Sequence, residues 1–124
     1  MTRVLYVGQD PATVDFGDPA LPPGLSAEKI QAGIELSLRQ MRERGWQADF
    51  CPVKPDDTAG RAVERALAGG IDCVVIGAGL RVPPRSLALF ERVLNAVHHA
   101  APTAAIAFNT TPEDTADAVA RWSR

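Results

Sequence analysis

The chain has 124 residues, 46% of them hydrophobic and 23% charged, which suits one globular domain over 1–124 and excludes a disordered chain. Its net charge is −2, and its basic residues alternate with acids, as in RQMRERG, so neither nucleic acid nor an anionic membrane is an expected partner. No run is long enough to span a membrane, and MTRVLYVGQD lacks a signal-peptide core, so Cys51 and Cys73 are expected as free thiols in a reducing cytoplasm.

The first apolar run is RVLYVG (3–8), ended by Gly8, and a loop rich in Pro, Asp and Gly follows over 9–25. Ser26 then predicts the N-cap of a helix over 27–44, whose Ile30, Ile34, Leu38 and Met41 fall on one stripe. Gly45 is its expected left-handed stop. The second run, WQADFCPV (46–53), alternates in polarity and contains Pro52, which lacks the donor a central strand needs and belongs at a sheet edge. Asp57 or Thr58 is the expected cap of the next helix, with Val63 and Leu67 inward and Gly69-Gly70 as its end.

The third run, IDCVVIGAG (71–79), is apolar from Cys73 to Ile76, as in a strand covered on both faces. Pro83 and Pro84 suit the first turn of a helix that runs to about His99, with Leu87, Phe90, Val93, Leu94 and Val97 inward. The fourth run is TAAIAFN (103–109). After it, Thr111 can cap, Pro112 opens the helix, and Glu113 and Asp114 favour the positive end of its dipole.

This βαβαβαβα order predicts an α/β three-layer αβα sandwich on a four-stranded parallel sheet with right-handed crossovers. The order 2-1-3-4 places the proline-containing second strand at an edge and the apolar third strand inside. Val4, Leu5, Val7, Ile30, Ile34, Val74, Val75, Ile76, Phe90, Val93 and Ile106 are the expected core.

In such sheets ligands bind beyond the strand carboxyl ends, where the strand order reverses. The loops that meet there start at Gln9-Asp10 and at Gly77-Ala78-Gly79, with Asn109 to one side. The first loop is far longer than the usual connection, as a binding loop or lid would be, or an inert surface insertion. The stretch VVIGAGLRVPP (74–84) lacks the third glycine of a dinucleotide fingerprint. Its two glycines still permit close backbone approach, and Arg81 and Arg85 bring fixed donors suited to phosphate or carboxylate. Alternatively the stretch is a turn whose arginines pair with Asp10, Asp15 or Asp18. The ligand-binding candidates are therefore Gln9, Asp10, Gly77, Gly79, Arg81, Arg85 and Asn109.

No catalytic residue, metal site or cofactor is expected. Adjacent His98 and His99 diverge on a helix and cannot share a metal. Asp10, Asp56 and Asp57 would bind Mg²⁺ only if they converged; solvated loop acids and a helix cap are the simpler reading.

The element order resembles small bacterial flavodoxin-like (Rossmann-like) α/β proteins, and within them a shortened response-regulator receiver domain. The abundance of Ala, Arg, Pro and Gly fits a high-GC bacterial genome. In a receiver, an acidic pair follows strand one, where this chain has Gln9 and Asp10. The phosphoaccepting aspartate ends strand three, where this chain has Gly77 and Ala78. Thr110 matches the hydroxyl after strand four, but the fifth strand and its lysine have no counterpart. The layout is also similar to phosphotransferase-system IIB proteins, without their cysteine after strand one. The resemblance thus implies a receiver-like shape without aspartyl phosphorylation.

Two functions follow from these features. One is a non-catalytic regulatory or interaction module. The other is a binder of, or small enzyme acting on, an anionic small molecule at the strand carboxyl ends. A homodimer through strand four or helix four is also expected, because AAIAF carries no proline or charge to protect a sheet edge and Trp122 suits a contact. The alternative is that helix four folds back over strand four.

Overall fold

The apolar runs become strands and the periodic stretches helices in the computed structural model, which describes residues 1–123. In chain order they are β1 (Arg3–Gln9), α1 (Ala27–Glu43), β2 (Gln47–Val53), α2 (Ala59–Leu67), β3 (Cys73–Ile76), α3 (Ala78–Arg81), α4 (Leu87–Ala100), β4 (Ala105–Phe108) and α5 (Thr115–Trp122). All strand pairs are parallel, in the order β2-β1-β3-β4. Pro52 lies on the edge strand opposite Gly8, where its missing N–H breaks no ladder bond.

Because successive strand residues face opposite ways, β1 divides its side chains between two cores. Leu5 and Val7 join Val53, Val63, Leu80, Leu89 and Val93 under α2 and α4. Val4 and Tyr6 join Ile34, Met41, Val75 and Val119 under α1 and α5. Helices therefore cover both faces, giving three layers. Among the described residues, no helix is long and apolar enough to cross a membrane.

Caps set the helix limits. The Ser26 hydroxyl accepts from the Lys29 amide at 3.2 Å to start α1, and Gly45 ends it with φ +88°, a conformation that disfavours any side chain. Thr58 stands at the N-cap of α2, as one of the two expected caps, but its side chain makes no capping bond there; Asp56 secures the turn by accepting from the Thr58 amide at 2.9 Å and from its hydroxyl.

The helix after β3 differs most from expectation. Pro83 caps a 3-10 turn over Pro84–Ser86, and the α-helix proper begins at Leu87. A 3-10 turn rotates the chain by 120° per residue instead of 100°, which shifts the phase of the helix that follows. Leu87 is consequently 61% exposed and Leu89 takes its place in the core. Ile30, Phe90 and Ile106 are half-buried at the margins of the two cores.

Both cysteines are free and buried, Cys51 under α2 and Cys73 on the opposite face. Burial pushes each thiol up to about 11, so little reactive thiolate exists near neutral pH.

At the start of α5, the Asp114 carboxylate accepts from the Thr110 amide at 2.9 Å, the Thr111 amide at 3.2 Å and the Thr110 hydroxyl. Partial burial raises its pKa, but these bonds together outweigh burial and hold it below the usual carboxylate range. The stability it contributes is therefore present above the unfolded carboxylate range and is lost as pH falls through the folded value. Asp114→Ala is expected to cost about 1 kcal/mol at neutral pH. In urea titrations the deficit should shrink as pH falls through that carboxylate range; a deficit constant down to strong acid would contradict the assignment.

Candidate functional site

The crevice between the carboxyl ends of β1 and β3 is where the fold would hold a ligand. Here α3 occupies it. The Gly77 amide donates to the Val7 carbonyl at 2.9 Å and carries the chain past the end of β1. A Cβ at Gly77 would sit 3.3 Å from the Tyr6 ring and 3.4 Å from the Val7 carbonyl oxygen, so the close approach favours glycine. Leu80 then turns inward and is fully buried in the core shared with Val7, Val53 and Ile76. The short helix acts as an apolar plug.

Asn109, at the end of β4 and only 2% exposed, fastens that plug. Its Oδ1 accepts from the Ala78 amide at 2.8 Å, capping α3 from 31 residues away. Its Nδ2 donates to the Thr115 hydroxyl at 2.9 Å and to the Tyr6 hydroxyl at 3.3 Å. Thr115 continues to Ser37 at 3.1 Å, and Ser37 donates within reach of the Gly33 and Pro112 carbonyls at 2.9 and 2.8 Å. Burial raises the Tyr6 phenol pKa, against the opposing bond from Asn109, so the ring remains a neutral partner at physiological pH. This buried network joins β1, α1, α3, β4 and α5.

The two arginines go separate ways. Arg81 donates to the Asn109 carbonyl at 2.8 Å and lies over the Phe108 ring, 5.4 Å from its centroid. Its Nε is buried without a hydrogen-bond partner among the described residues. Arg85 pairs with Asp15 at 3.2 Å and Asp18 at 2.8 Å, clasping the long loop to the entry of α4. The Gly17 amide and then Arg85 hold Asp15 below the usual carboxylate range.

The loop over 9–25 is folded by its own acids. Gln9 donates to the Thr13 carbonyl and hydroxyl, each at 3.2 Å. Asp10 accepts from Ala12 at 3.0 Å, while Asp15 and Asp18 accept from Gly17 and Ala20, each at 2.9 Å. Such Asx turns replace regular structure with a chain of local bonds. Gly79 has open space around it.

Of the seven candidates, Gly77, Arg81 and Asn109 come together, Arg85 forms a separate clasp, and Gln9 and Asp10 turn into their own loop. Tyr6, Ser37, Leu80 and Thr115 were missed. Ser37 alone left a sequence signal, as a polar residue on the inward stripe between Ile34 and Met41.

An open depression of about 490 Å³ lies beside Asp10, and Glu28 and Glu35 share its lining. Three carboxylates there disfavour an anion. Among the described residues, no three His, Cys, Asp or Glu side chains gather as a metal site. No protein-family model matches the chain, and no curated protein matches it in sequence.

Proposed function

We propose that this chain is a non-catalytic interaction or regulatory module, with the shape of a shortened receiver domain and without aspartyl phosphorylation. One observation carries the reading: the polar groups at the strand carboxyl ends bind one another. Asn109 uses both ends of its amide internally, Arg85 is held by Asp15 and Asp18, and Leu80 fills the crevice. The same rim exposes apolar surface instead: Phe16 is 41% exposed, Val82 65% and Leu87 61%, on the segments that the Arg85 clasp joins. Apolar side chains on a rim of this kind suit contact with another protein. The two buried free thiols fit a reducing cytoplasm, and the composition fits a bacterial origin. A second copy of the chain is the partner we favour, through β4 or α5.

A second reading, an anionic small molecule bound or turned over at this edge, is favoured by the unpartnered Nε of Arg81. A thermal-shift screen with nucleotides, sugar phosphates and carboxylates separates the two, since a ligand held by the native state raises the melting temperature. The module reading expects no shift from any of them. A rise of several degrees that Arg81→Ala abolishes would overturn it.

Arg85→Ala is expected to cost under about 1 kcal/mol, because the pair is largely solvated at the arginine. Its clearer effect is faster amide exchange across 15–20, as the clasp on the loop is lost. Unchanged exchange there would mean that the Asx turns hold the loop unaided.

A further inference from the structure

The two edges of the sheet are unlike. On β2, Arg42 covers the outward Ala48 carbonyl with two bonds, of 3.1 and 2.8 Å, Asp49 is exposed, and Pro52 has no N–H to offer. These are devices that stop an edge from pairing. On β4, residues 104–108 read AAIAF, without charge or proline.

The outward groups of β4 follow from its ladder. Ala105 donates to the Asp72 carbonyl at 2.9 Å, so Ala105 and Ala107 direct their backbone groups toward β3. Ala104, Ile106 and Phe108 direct theirs outward. Two of those groups are engaged: the Ala104 amide donates to the Ala101 carbonyl at 3.1 Å, and the Phe108 carbonyl accepts from Arg121 at 3.1 Å. Among the described residues, what remains is two donors, the Ile106 and Phe108 amides, and two acceptors, the Ala104 and Ile106 carbonyls.

We infer that β4 pairs antiparallel with β4 of a second copy, about a twofold axis at Ile106, to make one continuous eight-stranded sheet. This rests on the interaction-module reading and names its partner. In that register each Ile106 amide donates to the partner's Ile106 carbonyl. Each Phe108 amide donates to the partner's Ala104 carbonyl. All four remaining groups of each chain are used, and the bonds already made by the Ala104 amide and the Phe108 carbonyl are kept. A twofold axis one residue away, at Ala107, would instead demand the carbonyl that Arg121 holds.

Side chains agree with this register. Phe108, on the α4 face, meets the partner's small Ala104, and Ala105 meets the partner's small Ala107 on the α5 face. An open, mainly polar groove of about 720 Å³ lies beside this strand, lined by Asp72, Thr103, Ile106, Met1 and Trp122, the last two 90% and 59% exposed. The partner would cover those two exposed apolar side chains. Because the β2 edge is blocked, pairing closes at two copies and cannot run on into a fibre.

Sedimentation equilibrium with amide exchange on the same samples is the test. The expected result is a dimer in which the Ile106 and Phe108 amides gain protection as concentration rises, while Ala105 and Ala107 are protected throughout. At about a hundred times the dissociation constant, roughly one chain in fifteen is free, so exchange should slow about fifteenfold. Ile106→Pro should be monomeric, since it deletes a donor that β3 does not use. If that variant fails to fold, the exchange result on the unaltered chain still decides. A monomer at all concentrations overturns the pairing and leaves the module reading to the ligand screen. A dimer with both amides unprotected overturns it too, and locates the contact elsewhere.

Discussion

Asn109→Ala is expected to destabilise the domain by about 3 kcal/mol and to lower its melting temperature by about 10 °C. The substitution removes a side chain that is 2% exposed, and it takes a partner from three groups at once: the Ala78 amide and the hydroxyls of Tyr6 and Thr115. Each stranded buried group costs about 1–3 kcal/mol unless water reaches it. Thr115 keeps the Pro112 carbonyl and Ser37 as partners, so most of the loss falls on Ala78 and Tyr6. Tyr6→Phe alone should cost about 1 kcal/mol, and less once Asn109 is gone, because the hydroxyl has already lost that bond. A double-mutant cycle by urea denaturation reads this coupling. Additive losses, or less than about 1 kcal/mol for Asn109→Ala, would mean that water replaces the amide and that α3 is held by Leu80 alone.

The sheet was legible because its signals are local. Pro52 and the polarity of QADFCPV mark an edge strand, and the unbroken Cys73–Ile76 run marks a central one. Turn chemistry was legible where a single residue decides it, as at Ser26 and Gly45. The Arg85 clasp was one of two open alternatives, since an arginine and nearby loop acids fit an anion site and an ion pair equally well by composition. The Asn109 network was beyond reach. Tyr6, Ser37, Asn109 and Thr115 come from four separate elements, and only the parallel crossovers bring them together. The plug was missed for a related reason. Residues 78–81 form barely one helical turn, too short for any periodicity, so two glycines and an arginine fit a turn or an anion loop and give no sign of a helix.

Leu80→Ala should be among the most damaging single changes in the chain, costing about 3 kcal/mol, with about 2–5 kcal/mol the range for a buried leucine. Leu80 is completely buried, and it stands at the one place where related architecture would leave room for a ligand. The control is Leu87→Ala: Leu87 is 61% exposed, so its loss should stay within about 0.5 kcal/mol. Together the two leucines test the phase of the whole segment from β3 into α4. A helix starting directly at Pro83 would turn Leu87 inward, whereas the 3-10 turn over Pro84–Ser86 turns Leu89 inward instead. Equal losses at positions 80 and 87 would therefore refute the plug as described. A large loss at 80 with none at 87 would mean that the crevice is filled by the protein's own side chain. Binding there would then require α3 to lift out and expose that leucine, a cost of about 2 kcal/mol or more that any ligand must first offset.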